Sequence, residues 1–595
     1  MTLTNQISTC VLAALHSLYN SEPVAGNFQV SQTKPEFVGD YTIVLFSLVK
    51  TLKRSPDQIG NELGKQLLAE YPTLFTAYNV IKGFLNLSIN ESYWLQFLEA
   101  NYANPAFGTK QANSKKVMVE YSSPNTNKPL HLGHLRNNFL GWSVAEILKA
   151  NGYNVIKTCV VNDRGIHICK SMISWQNFGN GETPQSRGMK GDHFVGDYYV
   201  KFNDALKAEI DQQMILGISK ETAEKEAPLM KATQQMLQDW ELGKPEVIEL
   251  WKTMNSWVYD GFTLTYKRIG SDFDKTYYES QTYLLGKEFV QEGLKNGILF
   301  KKDDNSIWVD LSSEGLEEKL LMRKDGTSVY ITQDIGLAQQ KFDEYAMDKS
   351  IYVIGDEQIH HMKVLKAICK KLQFPFSDNI HHLSYGMVEL TTGKMKSREG
   401  TVVDADDLMD EMVATAKRLT EELGKVKDFD EKELTELYEV LGLGAMKFYL
   451  LRVDPKKRMI FNPEESIDFH GYTGPFIQYT YARIQSILRK ISSEQHGIVS
   501  ATTPQPLFKP EKTVLLQLEQ YTSILEEAAE ELDPSVIANY IFHLAKTFNS
   551  LYAEHAIANA ETPEKKKLRL QIANMTANVI AGAMHLLGIR VPARM

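Results

Sequence analysis

Cysteine is scarce in this 595-residue chain: Cys10, Cys159, Cys169 and Cys369 are the only four, and no two stand at Cys-x-x-Cys spacing. That excludes a disulfide framework and a cysteine zinc site, and it fits a reducing compartment. The sequence also lacks an apolar run of membrane-spanning length. Its start, Met1-Thr-Leu-Thr-Asn-Gln, lacks the basic-then-apolar pattern of a signal peptide. A cytoplasmic protein with no membrane partner is therefore expected. Nor is there an excess of positive charge. The formal net charge of −9 argues, as a whole-molecule sum, against a nucleic-acid partner, but binding depends on local patches. Such patches exist at Lys394/Lys396/Arg398, at Lys456-Lys457-Arg458 and at Lys565-Lys566-Lys567 with Arg569. The last follows Thr562-Pro563-Glu564 and reads as a solvated helix face. With 43% apolar and 23% charged residues the chain is an ordinary globular one. Its length exceeds one core and implies roughly three or four domains.

The most informative stretch present is His131-Leu132-Gly133-His134, within Ser122 to Arg136. Lys116 to Tyr121 before it has the length and apolarity of a strand. Leu132, Leu135, Phe139, Trp142, Ala145, Ile147 and Leu148 after it recur at close to helical period, and Asn151-Gly152 stops the pattern. A strand-to-helix turn offers free N–H groups and the positive end of the helix dipole, which suits a phosphate. Gly133 leaves room for a nucleotide, and the two histidines can donate to phosphate oxygens. Two zinc ligands are the alternative, but no third ligand stands at metal spacing and the metalloprotease glutamate is missing, so no metal site is expected.

The chain divides into three regions. Residues 1–112 form an N-terminal module of mixed helices and strands. It has a helix through Ile7, Val11 and Leu15, another carrying Val44, Leu45, Leu48 and Leu52, a strand over Gly83–Ile89, a helix over Glu91–Tyr102, and a linker after Asn104-Pro105. Residues 113–464 alternate strands (Asn154–Val161, Ser350–Ile354) with helices, which predicts an α/β domain with a doubly wound parallel sheet of the Rossmann type. Charged helices at about 176–270 read as an insertion in it. Residues 465–595 are all helix (Tyr479–Ile491, Pro510–Leu532, Pro534–Ala560, Glu564–Leu587), which suggests a bundle.

A second loop, Gly393-Lys394-Met395-Lys396-Ser397-Arg398, follows the strand-like run Leu383–Leu390. His-x-Gly-His and Lys-Met-x-Ser in this order and at this distance resemble the two signatures of class I aminoacyl-tRNA synthetases. The physical logic agrees: a carboxylate attacks the α-phosphate of ATP, and fixed donors and cations stabilise the charge that develops. Within the class, several stretches resemble the arginyl-tRNA synthetase family. They include Glu120-x-Ser-Ser-Pro-Asn-x-x-Lys-Pro-x-His-x-Gly-His-Leu-Arg, Val161-Asn162-Asp163-x-Gly165 and Gly191-Asp192-His193-Phe194-Val195-Gly196-Asp197. Further on come Thr327-x-x-Tyr330-x-Thr332-x-Asp334, Tyr352-Val353-x-x-x-x-Gln358-x-x-His361, Thr473-Gly474-Pro475-Phe476 and the final Ile589-x-Val591-Pro592-x-Arg594-Met595.

The resemblance implies ATP-dependent formation of arginyl-adenylate and transfer of arginine to the 3′ end of tRNA(Arg), with tRNA bound during activation. It implies catalytic roles for His131, His134 and Lys128, and ATP contacts from Gly133, His361, Lys394, Met395, Lys396, Ser397 and Arg398. It implies arginine contacts from Glu120, Asn125, His131, Tyr330, Asp334 and Gln358. Taken singly, Asp334 reads as a helix-start carboxylate and Tyr330 as a strand aromatic. A guanidinium wants planar, bidentate acceptors, which Asp334 can supply. The second loop departs from the class pattern by carrying Ser397 where a lysine is usual, and Lys128 is taken to restore that charge. Magnesium is expected only with ATP. The helical region resembles an anticodon-binding domain, with Tyr481, Arg483, Tyr552 and Met595 as candidate contacts, and the N-terminal module resembles one that contacts the tRNA elbow. A monomer is expected. A cysteinyl enzyme would need a zinc site, a small nucleotidyltransferase would lack the helical region, and a decayed tRNA-binding paralogue would have lost signature residues that are all present here.

Overall fold

The computed structural model describes residues 2–19, 28–34, 36–390, 403–422, 424, 428–493 and 506–595. Lys394, Met395, Lys396, Ser397 and Arg398 lie outside the described residues.

Alternation of inward apolar residues builds the N-terminal module's antiparallel sheet, in the order Val30–Gln32, Tyr41–Val44, Phe84–Ile89, Phe75–Ile81. Helices Leu3–Tyr19, Pro56–Glu70 and Glu91–Asn101 accompany it, and Ser55 and Gln58 form a capping box at the second of these. The expected helix from Val44 to Leu52 starts only at Phe46, because Val44 is still paired across the sheet with Phe84.

The central sheet has five parallel strands: β1 (Lys116–Glu120), β2 (Asn154–Val161), β3 (Lys275–Tyr278), β4 (Lys349–Gly355) and β5 (Ile380–Tyr385), in the order β5-β4-β1-β2-β3. β1, β2 and β4 are mostly buried apolar runs, as strands covered on both faces must be. Chain direction reverses about β1, so the loops after β1, β2 and β4 open on one crevice beyond their carboxyl ends. The run Leu383–Leu390, read as one strand, is two. Gly386 passes so close to Lys457 that a Cβ would lie 2.5 Å from its carbonyl carbon. Beyond it Val388–Leu390 leaves the main sheet and pairs with Met459–Phe461. A short antiparallel sheet (Phe300–Lys301, Ile307–Val309, Lys319–Met322) and β3 itself escaped the periodicity reading, because strands of two to four residues carry too few alternations.

The insertion is a helical subdomain whose long members, Gly191–Ile215 and Pro245–Ile269, pack together; a Cβ at Gly191 would strike the Trp257 carbonyl. Helices Glu431–Leu451, Gly474–Ser493, Lys509–Glu531, Pro534–Glu554 and Pro563–Leu586 build the C-terminal bundle and its stem. The third of the four bundle helices stops at Glu554 rather than Ala560, since the Ala556 carbonyl turns out to accept from Arg569 (2.7 Å). Lys565 is not the solvated residue its neighbours suggested. It is buried, with its ammonium 2.6 Å from Glu511, whose other oxygen accepts from Arg569 at 2.8 Å.

Candidate active site

Helix Leu132–Ala150 begins at the first signature, and the two histidines begin it. The N–H of Gly133 donates to His131 Nδ1 (3.2 Å), and the N–H of His131 donates to His134 Nδ1 (3.1 Å), a capping box made by imidazoles. Their rings lie 3.8 Å apart. With each Nδ1 accepting, each Nε2 carries the hydrogen and is left as a donor. Burial, reinforced by Lys128, pushes His131 down to about 3; burial, then His131 and Lys128, hold His134 well below the usual histidine range. Both rings are thus neutral donors. A Cβ at Gly133 would lie 3.0 Å from His131 Cε1, so the glycine first makes room for the imidazole. Burial also lowers Lys128, which has no carboxylate within ion-pair distance among the described residues.

Two asparagines that sequence reasoning passed over hold the loop before the signature. Asn137 accepts from the N–H of Ser122 (2.6 Å) and donates to the Val353 carbonyl of β4 (2.8 Å). Asn138 donates to Ser122 Oγ and to the His134 carbonyl. They fix Ser122 in a left-handed conformation (φ +61°), which a non-glycine residue keeps only when its surroundings over-determine it. The available signal was a pair of amides facing inward on an otherwise apolar helix.

The residues assigned to arginine fall into two groups. Tyr330 (75% exposed) and Asp334 stand one turn apart at the start of helix Tyr330–Tyr345, so Tyr330 is a helix residue and not a strand aromatic. Asp334 Oδ2 lies 2.7 Å from His361 Nε2, which joins a residue assigned to arginine to one assigned to ATP. Gln358 is exposed on the short turn after β4, and Asn125 is exposed where the loop after β1 bridges to Asn162 after β2. Glu120 is different: at the end of β1 it is buried and forms an ion pair with Lys341, whose ammonium lies 5.0 Å from the Tyr352 ring. Burial, the largest single effect, would lower Lys341; Glu120, Tyr352 and Asp334 together outweigh it and hold that ammonium above its ordinary value.

Sequence reasoning missed Glu279, just after β3. Asp163 anchors that turn by accepting from Ser280 N (2.8 Å), Ser280 Oγ (2.7 Å) and Tyr259 Oη (2.9 Å). Burial pushes Glu279 up to about 7; Arg164 opposes this, and the negative charges of Asp163 and Asp334 add to it. Arg164 itself is engaged by Glu241 (2.9 Å) and lies over Tyr283. Glu279 makes no ion pair among the described residues, whereas Asp334, whose negative charge acts on it, is engaged by His361.

In the bundle, Arg483, Tyr552 and Met595 line one cavity of about 400 Å³ together with Tyr479, Arg489 and Arg594. The Arg483 guanidinium lies between the Tyr479 (4.8 Å) and Tyr552 (5.2 Å) rings. Tyr481 is not brought into that cavity; it packs against the main core.

A family model described as tRNA synthetases class I (R), catalytic domain, matches residues 99–462. The Arginyl tRNA synthetase N terminal domain matches 5–89, and the DALR anticodon binding domain matches 477–595. The curated arginine–tRNA ligases of Flavobacterium psychrophilum and Bacteroides fragilis are each 50% identical to the chain, with 100% of both proteins covered. The chain belongs to the arginyl-tRNA synthetase family. The fold agrees at greater distance: the arginyl-tRNA synthetase of Thermus thermophilus superposes with a TM-score of 0.78 at 23% identity, covering 100% of both chains. In an arginyl-tRNA synthetase the adenylate site belongs to the domain matched over 99–462, which holds both signatures, while the Arg483 cavity lies in the domain matched as anticodon-binding.

Proposed function

We propose that this chain is an arginine–tRNA ligase that activates L-arginine with ATP to arginyl-adenylate and transfers it to the 3′ end of tRNA(Arg). The arginine carboxylate attacks the α-phosphorus of ATP and pyrophosphate leaves. The Nε2–H donors of His131 and His134 and the ammonium of Lys128 stabilise the charge that builds on the phosphates. The terminal ribose hydroxyl of tRNA then attacks the adenylate carbonyl and AMP leaves. Magnesium enters with ATP as its counter-ion.

One observation carries the choice of amino acid: Glu279, half-buried and without an ion pair among the described residues, feels the negative charge of Asp334, whose own partner is His361. A guanidinium offers two edges of parallel N–H donors and can satisfy both carboxylates, whereas an uncharged side chain leaves both unpaired. Tyr330, one helical turn before Asp334, and the exposed Gln358 and Asn125 are assigned to the same substrate in this reading. Glu120, committed to Lys341, supports the reading as a residue that fixes the carboxyl end of the central strand β1. Arg483, Tyr552 and Met595 suit a splayed anticodon base, which stacks on the tyrosine and bonds to the arginine. This reading takes the enzyme as a cytoplasmic monomer; its four cysteines are free and buried, as a reducing compartment allows. Among the described residues no helix is long and apolar enough to cross a membrane.

The test is aminoacylation with purified chain, ATP, magnesium and tRNA(Arg). Arginine is expected to be attached and lysine refused, because an ammonium lacks the planar pairs of parallel N–H donors that a guanidinium offers to a carboxylate. Attachment of another amino acid in preference to arginine would overturn the reading.

A further inference from the structure

Outside both signatures a dense cluster of charge stands where the insertion meets the chain that returns from the second loop. The Lys190 ammonium lies 3.0 Å from Asp192 Oδ2 and 2.5 Å from Asp406 Oδ2. His193 Nε2 lies 3.0 Å from the same Asp406 oxygen and 3.5 Å from Asp404 Oδ2. Asp192, His193 and Asp406 have the make-up of a metal site, but the ammonium already fills the space between the carboxylates, so the cluster is complete as a set of side chains.

Its position gives it a use. Asp404 forms an antiparallel bridge with His131, and the N–H of Ala405 donates to the Leu130 carbonyl (2.9 Å). The backbone on which the first signature histidine rests is therefore the backbone of Asp404 and Ala405. That support is held on its other side by the cluster. Asp404 Oδ1 accepts from the N–H of Asp406 (2.7 Å), Asp404 Oδ2 faces His193, and Asp406 accepts from both His193 and Lys190. The helix that carries His193 also packs on the signature loop, since a Cβ at Gly196 would lie 2.8 Å from Pro129 Cδ. We propose that His193 is a positioning residue for adenylate formation: by pinning the Asp404–Asp406 turn, it fixes the backbone of His131 and hence the aim of its Nε2 donor. Side-chain hydrogen bonding to Asp406 raises the affinity of His193 for its proton against the opposing effect of burial, which strengthens the clamp.

This inference rests on the adenylate-forming reading above. His193 touches no substrate in it, so its loss acts on geometry and not on affinity for arginine. A misplacement of the order of an ångström at a reacting group costs roughly a hundred-fold in rate. The experiment is arginine-dependent ATP–pyrophosphate exchange with tRNA(Arg) present. His193→Ala is expected to lower kcat by roughly ten- to a hundred-fold with the arginine KM within about two-fold of the parent. His193→Gln, which keeps an N–H donor towards Asp406, should recover most of the rate. Should His193→Ala not fold, Asp406→Asn gives the same reading, with the same fall in kcat expected. An unchanged kcat in whichever variant folds overturns the proposal. A fall spread equally over kcat and arginine affinity, without recovery in His193→Gln, also overturns it, because that is the mark of a general loss of structure. If the parent protein itself shows no arginine-dependent exchange, the adenylate reading has failed and not merely the role of His193.

Discussion

Buried charge is handled in opposite ways at the two ends of the molecule. In the helical bundle Glu511 is fully buried, yet one oxygen accepts from Arg569 (2.8 Å) and the other from Lys565 (2.6 Å) and from the N–H of Phe508 (2.8 Å). Arg569 passes its remaining donors to Glu561 and the Ala556 carbonyl. At the catalytic end Lys128 is partly buried without a carboxylate among the described residues, two histidines are held neutral, and burial raises Glu279, which forms no ion pair there. The Glu511 triad is electrostatically complete as a set of side chains. On the proposed reading the crevice is completed by a phosphate beside Lys128 and a guanidinium at Glu279 and Asp334, as a site for ATP and arginine requires.

The largest effect that would test this contrast lies in the bundle. Glu511→Ala strands two buried cations and should lower unfolding free energy by about 3–5 kcal/mol, read by denaturant melts; a loss under about 1 kcal/mol would mean that the triad is not what satisfies these charges. Lys128→Ala should do the reverse. It should lower the rate of arginine-dependent pyrophosphate exchange by roughly a hundred- to a thousand-fold while the melting temperature stays level or rises, because a desolvated, uncompensated charge has been removed. A large fall in melting temperature would place Lys128 with Glu511, as a structural charge. The smallest effect concerns pH. The free protein holds Glu279 protonated below about 7, and a guanidinium needs it ionised. The apparent arginine KM should therefore fall as pH rises towards 7 and level off above it, with a slope approaching roughly ten-fold per pH unit on the acid side. In Glu279→Gln that limb should vanish and the KM should be raised throughout. A variant with the parent's pH profile would take Glu279 out of the arginine pocket.

The sequence is legible where function is written in consecutive residues. His131 to His134, the end of the helix at Asn151-Gly152, and the strand Asn154–Val161 all stand as read. It is much less legible where a partner is far away along the chain. Glu120 looks like a substrate ligand by its motif, but Lys341 on a helix beyond β3 neutralises it. Glu279 follows a four-residue strand too short to show a period, so nothing marked its carboxylate as half-buried within reach of Asp334's charge. Lys565 sits in a run of three lysines that periodicity assigns to solvent; only the arrival of Glu511 from another helix buries it. Tyr481 and Tyr552 are equivalent as aromatics near a basic residue, and only the packing of the bundle sends one to the core and the other to the Arg483 cavity.

The imidazole capping box has an evolutionary consequence. On the proposed mechanism His131 and His134 each do two jobs with one ring: Nδ1 holds the first turn of the helix and Nε2 donates to phosphate. Serine, aspartate or asparagine could take over the first job but are too short for the second, and lysine could reach outward but could not cap. The two positions are therefore closed to stepwise drift, and a lineage could abandon this pair of rings only by losing the helix start and the phosphate donor together.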